Sequence, residues 1–186
     1  MMVADVLASW REQAVSICNA PLSEADLADV SSTHPVRQMH DKWSGFKEAY
    51  PESCPPRDLV TPGTLGSILR WLIVFERREE GPSTRYFVRL AGTSALCLTQ
   101  ENVEKRYLDE FTNEDCYASR FEAMETAFDK KSPVFALVDC QGDPDCEYRE
   151  DVLAGFFPFC TGDRPSQVIA CMGPQNLKSL ALLSRL

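Results

Sequence analysis

The sequence lacks the features that mark membrane-spanning and secreted proteins. No run of about 18 or more apolar residues occurs, so no transmembrane helix is expected. The first residues, Met1 to Asp5, contain an acid and no basic side chain, whereas a secretory signal peptide begins with a basic region. These absences predict a cytoplasmic protein.

Basic charge is also scarce. The chain has 19 lysine and arginine residues against 28 aspartate and glutamate residues, and its formal net charge is −9 at pH 7. Binding to nucleic acid requires clustered basic side chains that neutralise phosphates. The densest basic pair, Arg77 and Arg78, is surrounded by glutamates. The composition therefore argues against nucleic acid and against an anionic membrane surface as partners.

Histidine is rare, and the cysteines lack metal-binding spacing. The chain has eight cysteines and two histidines, His34 and His40. No cysteine pair follows the C-x-x-C pattern of many zinc and iron–sulfur sites, so no metal site is predicted. In a cytoplasmic protein the thiols are expected to be reduced. Both histidines precede the predicted core, so a histidine-ligated haem is not expected, and the residues identify no cofactor.

Catalytic motifs are missing as well. The sequence has no G-x-S-x-G, no glycine-rich phosphate loop and no H-E-x-x-H. An isomerase on an α+β fold would need a buried acid, and the nearest strand candidates, Asp139, Glu150 and Asp151, are expected to face solvent. No catalytic residue is therefore assigned, and the chain is predicted not to be an enzyme.

A β-hairpin is the clearest element that the sequence does contain. Residues 71–75 form an apolar run rich in β-branched and aromatic side chains, and residues 80–83 carry a turn signal. In the next segment Tyr86, Val88 and Leu90 alternate with polar or aromatic neighbours. Strict alternation predicts that these three side chains point to one face of the hairpin and their neighbours to the other, and that one of the two faces is buried.

Helical and strand patterns surround this hairpin. Helices are predicted at 3–18, 35–50 and 114–130 from apolar side chains spaced three and four residues apart. Residues 19–21 are expected to end the first helix. Further strands are predicted at 134–139, 147–159 and 167–172. The order predicts an α+β domain.

Four segments carry a resemblance to a known family. They are Lys42-Trp43 in a helix, the proline-rich connection at 55–58, the apolar strand at 72–75, and Arg89-Leu-Ala-Gly92-Thr93 at the end of the next strand. In these segments and in its element order, the chain resembles the PAS-like family widespread in alphaproteobacteria, over about residues 40–178. It departs from that family at Gln100 and Glu104, where glycine is frequent. Gly92 is expected to permit the turn into the next helix, and Thr93 to cap it.

The resemblance implies a stand-alone sensory or interaction module. Its fold would be a PAS-like five-stranded antiparallel sheet with helices on one face, preceded by N-terminal helices. Residues 1–35 would form an N-terminal helical extension, and residues 179–186 a C-terminal tail. Residues 36–178 would form the PAS-like domain, with leading helices at 36–70 and the core at 71–173. The module would act in bacterial signalling through contacts with a separate protein; the alternative is a sensor with a small molecule or cofactor in the PAS pocket.

Aromatic side chains of the predicted core bear on these alternatives. Seven are candidates to line a pocket: Phe75, Phe87, Tyr117, Phe121, Phe135, Phe157 and Phe159. They either surround a small molecule or fill the interior themselves, since protein interiors are close-packed. The first interpretation predicts a small-molecule sensor, and the second predicts a cofactor-free module.

The predicted N-terminal helix carries an apolar stripe. Val3, Leu7, Trp10 and Ile17 follow the spacing of heptad a and d positions. This stripe packs either on its own domain or against a second copy of the chain. The second arrangement makes the protein a homodimer.

Charged substitutions in the stripe distinguish these arrangements. If the stripe is the dimer seam, Leu7→Asp together with Ile17→Asp buries unpaired carboxylates and halves the mass measured by light scattering. The control is Gln13→Asp, which adds an acid on the polar side of the same helix. An unchanged dimer mass in the double variant would reject the seam.

Overall fold

The fold is described by a computed structural model over residues 19–22, 27–99, 101–139, 151–162 and 164–175. The predicted helix at 3–18, with its apolar stripe, lies outside these residues. The predicted C-terminal tail at 179–186 lies outside them as well.

An antiparallel sheet forms the centre of the domain. Its strands are β1 (Asn19–Leu22), β2 (Leu72–Glu80), β3 (Ser83–Ala91), β4 (Val134–Asp139), β5 (Asp151–Thr161) and β6 (Arg164–Pro174). Their order in the sheet is β1-β4-β5-β6-β2-β3. The five predicted strands are confirmed. The expectation that residues 19–21 end a helix is wrong, because they pair with β4 as an additional edge strand, a position that tolerates Pro21.

The helices agree closely with the sequence pattern. They are α1 (Pro35–Glu48), α2 (Pro62–Leu65), α3 (Thr93–Thr99) and α4 (Glu114–Lys130), with 3-10 turns at Arg57–Leu59, Gly66–Trp71 and Leu108–Glu110. Asn113 caps α4, because its side-chain oxygen accepts a hydrogen bond from the backbone N–H of Cys116 at 2.8 Å. Within the described residues, none of the helices has the length and apolar character needed to cross a membrane.

Side chains alternate along each strand, so the sheet has two faces. Both faces are buried, each by its own hydrophobic cluster. We call the two layers the inner core and the outer core. The inner core lies beneath α3 and α4 and includes Ile73, Phe75, Tyr86, Val88, Met124, Phe128, Val152, Phe156 and Val168. The outer core lies beneath α1 and includes Val36, Met39, Trp43, Trp71, Phe135, Leu153, Phe157, Phe159 and Ile169. Along β5, Leu153, Phe157 and Phe159 therefore lie in the outer core, and Val152 and Phe156 lie in the inner core.

Helix α1 is fastened to the sheet by its tryptophan. Met39 and Trp43 are buried, and Phe46 packs partly against them, as the helical spacing predicts. The indole N–H of Trp43 donates a hydrogen bond to the carbonyl of Pro158 in β5 at 3.1 Å. The outer face of the sheet is therefore closed by a leading helix that precedes the hairpin in sequence.

The alternation predicted for the hairpin fails at Leu90. Tyr86 and Val88 enter the inner core, but Leu90 is 47% exposed. The register shifts between Val74 and Phe75, so that Leu90 pairs with Val74 and Ala91 takes the next buried position. A β-bulge inserts one residue into a strand and thereby changes which side chains face the core.

Gly92 is required for a reason other than the turn that its position suggests. A Cβ atom at this position would lie 2.4 Å from the carbonyl oxygens of Leu69 and Arg70. The Gly92 N–H also donates to the carbonyl of Leu72 at 2.8 Å. The glycine therefore permits close backbone approach between β3 and the 3-10 turn that precedes β2.

The cysteines do not share one state. Among the described residues, Cys54, Cys97, Cys160 and Cys171 carry free thiols, whereas Cys116 is disulfide-bonded. The expectation of reduced thiols therefore holds at the first four positions and is wrong for Cys116.

His34 supplies the cap of α1 and is buried. Its Nδ1 accepts a hydrogen bond from the backbone N–H of Val36 at 3.2 Å, and only 2% of the residue is exposed. Burial lowers the pKa of His34, and hydrogen bonding toward the backbone of Pro174 and Gly173 opposes this shift only in part. The cap requires an unprotonated Nδ1, so the neutral ring is the form that fits the fold.

Acid should therefore destabilise the protein through His34. Because the pKa is lower in the folded chain, the unfolded chain binds the proton more readily, and stability falls as pH drops below about 6.5 toward the folded pKa. We expect the free energy of unfolding, measured with urea between pH 7.5 and pH 5, to decline in the wild type. In His34→Asn, which keeps a capping oxygen but does not titrate, the decline should be smaller.

His40→Gln is the matched control, since the chain has only these two histidines. This variant should retain the wild-type decline. Equal slopes in the wild type and in His34→Asn would contradict the assignment.

Candidate functional site

Part of the predicted pocket lining lies between the inner sheet face and helices α3 and α4. The sheet supplies the floor of this space, and α4 supplies the largest part of its cover. Which side chains occupy this space determines whether a ligand has room.

Tyr86 lies at the centre of the space. It projects from β3, is fully buried, and its ring centroid lies 5.6 Å from that of Phe121 and 6.5 Å from that of Phe128 on α4. Phe75 on β2 meets it edge to face, with ring centroids 6.5 Å apart. These separations are those of packed aromatic pairs. The four rings fill the region between the hairpin and α4.

The hydroxyl of Tyr86 is held by an ion pair. It donates to Glu125 Oε1 of α4 at 2.5 Å. Arg77 of β2 donates from Nε to the same oxygen at 3.0 Å and from Nη2 to Oε2 at 3.3 Å. We call Arg77, Tyr86 and Glu125 the hairpin–helix clamp. It joins neighbouring hairpin strands to the middle of α4.

The clamp fixes the charge state of its members. Burial opposes ionisation of Glu125, but hydrogen bonds from Arg77 and Tyr86 outweigh it and lower the pKa of the carboxyl. Burial, with the hydrogen bond to Glu125, raises the pKa of the Tyr86 hydroxyl. The hydrogen bond to Glu125 also raises the pKa of Arg77. At neutral pH the clamp is therefore a carboxylate bound by a guanidinium and a neutral phenol.

Small side chains line the sheet beneath α4. Ala136, Ala154 and Ala170 lie on the neighbouring strands β4, β5 and β6 and belong to the inner core. Met124 and Phe128 of α4 belong to the same core. Small residues on the floor let the large side chains of the helix approach the sheet closely.

The predicted pocket residues do not all meet. Phe75, Tyr117 and Phe121 belong to the inner core or pack against it. Phe135, Phe157 and Phe159 belong to the outer core, beneath α1, on the opposite face of the sheet. The side chains that complete the inner cluster, Tyr86 and Phe128, were not among the seven candidates.

Phe87 occupies a third environment. The guanidinium carbon of Arg78 lies 3.6 Å from the centroid of its ring, and Tyr107 meets the ring at 5.3 Å in a T-shaped arrangement. The side chain is partly exposed on the hairpin. It therefore packs between a cation and a second ring.

A loop closes part of the outer edge of β3. The N–H of Val88 donates to the carbonyl of Arg106, and the N–H of Lys105 donates to the carbonyl of Val88, both at 2.9 Å. Glu104 accepts a hydrogen bond from the N–H of Ala91 at 3.0 Å. The left-handed residue of this loop is Lys105, with φ of 62°. Gln100, the other departure from the family pattern, lies outside the described residues.

The acidic, histidine and cysteine side chains considered for metal binding and catalysis lie only partly within the described residues. Within the described ranges, no group of three or more histidine, cysteine, aspartate or glutamate side chains is placed to hold a metal ion. Among the acids considered for an isomerase, Asp139 and Asp151 occupy opposite positions in the strand register, at the end of β4 and the start of β5. Glu150 lies outside the described residues.

The clamp makes a measurable contribution to stability. Tyr86→Phe keeps the ring but removes a buried hydrogen bond to a carboxylate, so we expect a loss of about 1.5 to 3 kcal/mol in the free energy of unfolding. Tyr117→Phe, at a partly exposed tyrosine of α4, is the control and should change it by less than about 0.5 kcal/mol. Chemical denaturation measures both. Equal losses in the two variants would contradict the clamp.

Comparisons with known proteins agree with this architecture. A family model described as PAS domain matches residues 31–164, which span α1 through the start of β6. Searches of curated proteins and of solved structures found no match. PAS domains are generally sensory modules without catalytic activity. The match covers well over half of the chain, and the chain belongs to the PAS domain family.

Proposed function

We propose that this PAS domain is a cofactor-free signalling module that acts through protein–protein contacts. The observation that carries the proposal is the position of Tyr86. Its ring, with those of Phe75, Phe121 and Phe128, occupies the space between the hairpin and α4. A guest in that region would have to displace a fully buried tyrosine from its hydrogen bond to Glu125.

The clamp suggests how such a module transmits a signal. Arg77 and Tyr86 bind Glu125 of α4 from the hairpin. A partner that displaces the hairpin would therefore also displace the helix. The signal would pass to a separate protein or across a homodimer seam formed by the N-terminal stripe. Neither route requires a bound small molecule.

A small-molecule sensor is the second candidate. It is favoured by Ala136, Ala154 and Ala170, which place little side-chain volume on the floor of the inner core. A guest would find room there if α4 moved away from the sheet. In this alternative the ligand, rather than a protein contact, would favour a position of α4 farther from the sheet over the packed position.

Direct examination of the purified full-length chain separates the two candidates. For the cofactor-free module we expect no absorption band in the visible region, where protein side chains do not absorb. Mass spectrometry of a denatured extract should contain no stoichiometric small molecule. Colour or a retained metabolite would overturn the proposal in favour of the sensor.

A cavity experiment tests whether Tyr86 takes the place of a guest. Tyr86→Ala removes the ring and should create an apolar cavity that binds indole, so that indole raises the melting temperature of this variant. The wild type should show no shift with indole. A shift in the wild type would reveal existing room and favour the sensor; this arm decides the question even if the variant does not fold.

A further inference from the structure

Two of the free cysteines meet at the end of β5. Cys160 lies near the end of that strand, and Cys54 lies in the connection that follows α1. The backbone N–H of Cys160 donates to the carbonyl of Pro55 at 3.0 Å, and Pro56 forms a parallel bridge with Cys160. The two thiols are hydrogen-bonded to each other. Residues far apart in sequence are thus brought within thiol contact by regular backbone pairing.

We propose that Cys54 and Cys160 form a dithiol oxidation site that takes hydroperoxides and closes to an intramolecular disulfide. The bond would join the connection after α1 to the end of β5. It would therefore lock the leading helix onto the outer face of the sheet. The proposal concerns thiol chemistry and is independent of whether the module binds a cofactor.

The surroundings assign different parts to the two sulfurs. Burial and the neighbouring Cys160 raise the pKa of Cys54 to about 12, so Cys54 remains a thiol at neutral pH. It can then donate its S–H to Cys160. Lys47 and Lys131 lie nearby, where they donate hydrogen bonds to the carbonyls of Ser53 and Glu52 at 2.8 Å each, and their positive charge opposes the rise in the pKa of Cys54 only in part. Cys160, the more exposed of the two at 5% against 2%, is the sulfur assigned to attack first.

The reaction balances with one peroxide. The Cys160 thiolate attacks one peroxide oxygen, the O–O bond breaks, and the departing hydroxide takes a proton to become water, which leaves Cys160 as a sulfenic acid. The Cys54 sulfur then attacks the Cys160 sulfur. The S–O bond breaks, and the second hydroxide leaves as water with the proton of Cys54. The two thiols lose two electrons, and hydrogen peroxide is reduced to two molecules of water.

Access sets the rate of this reaction. Cys54 is 2% exposed and Cys160 is 5% exposed, so peroxide reaches them when the adjoining connection opens. Residues 51–53 of that connection are exposed. Local opening of a surface segment requires far less free energy than global unfolding. We therefore expect oxidation to be slower at this pair than at the exposed Cys97.

Peptide mapping of the full-length chain tests the site. The protein is reduced, freed of reductant, exposed to hydrogen peroxide, and alkylated, then digested on the N-terminal side of aspartate without reduction. Cleavage at Asp163 separates Cys160 from Cys171. The expected product links the Cys54 peptide to the Cys160 peptide. Recovery of both as free thiols, at an exposure that fully oxidises Cys97, would overturn the proposal.

Single substitutions test the order of attack. In Cys54→Ser, peroxide should leave Cys160 as a sulfenic acid that dimedone labels. In Cys160→Ser, Cys54 should remain unlabelled. The reverse labelling would overturn the assigned parts, and the mapping of the wild type decides the linkage even if either variant does not fold.

Discussion

The ion pair between Arg77 and Glu125 is the interaction on which the inner half of the domain depends. It connects β2 to α4 across the sheet face, and the hydroxyl of Tyr86 completes it from β3. The pair is only partly buried, with about a quarter to a third of each side chain exposed. Its charges therefore retain some hydration, which reduces the desolvation cost that a fully buried pair would carry. The hydrogen bond from Tyr86 to Glu125 positions the aromatic cluster around Tyr86. The cluster in turn excludes water from one side of the ion pair.

Burial of the sheet on both faces gives the domain two distinct layers. The inner core carries the clamp and the helices that follow the hairpin in sequence. The outer core is closed by α1, whose tryptophan bonds to Pro158 and whose cap is the buried His34. Helices α1 and α4 therefore pack on the same two strands, β5 and β6, from opposite sides of the sheet.

Periodicity predicted most of the elements, because both α4 and the alternating strands bury one regular stripe. It could not predict β1, since four residues that include a proline carry little pattern. The bulge beside Val74 moved Leu90 to the surface, and no residue in the hairpin signals that shift. The aromatic candidates were chosen by residue type, but the alternation of side chains along the strands places Phe135 in the outer core and Phe75 in the inner core. Glu125 escaped notice because its role depends on partners 39 and 48 residues away.

The loop around Lys105 has a consequence for how the domain recognises other proteins. It occupies the outward N–H and carbonyl of Val88, so another chain cannot extend the sheet at that point of β3 without first removing the loop. Recognition by strand addition depends on free backbone groups along an edge. A partner that bound at this edge would therefore have to contact side chains such as Arg89 and Leu90, which mutation can alter one at a time without disturbing the backbone.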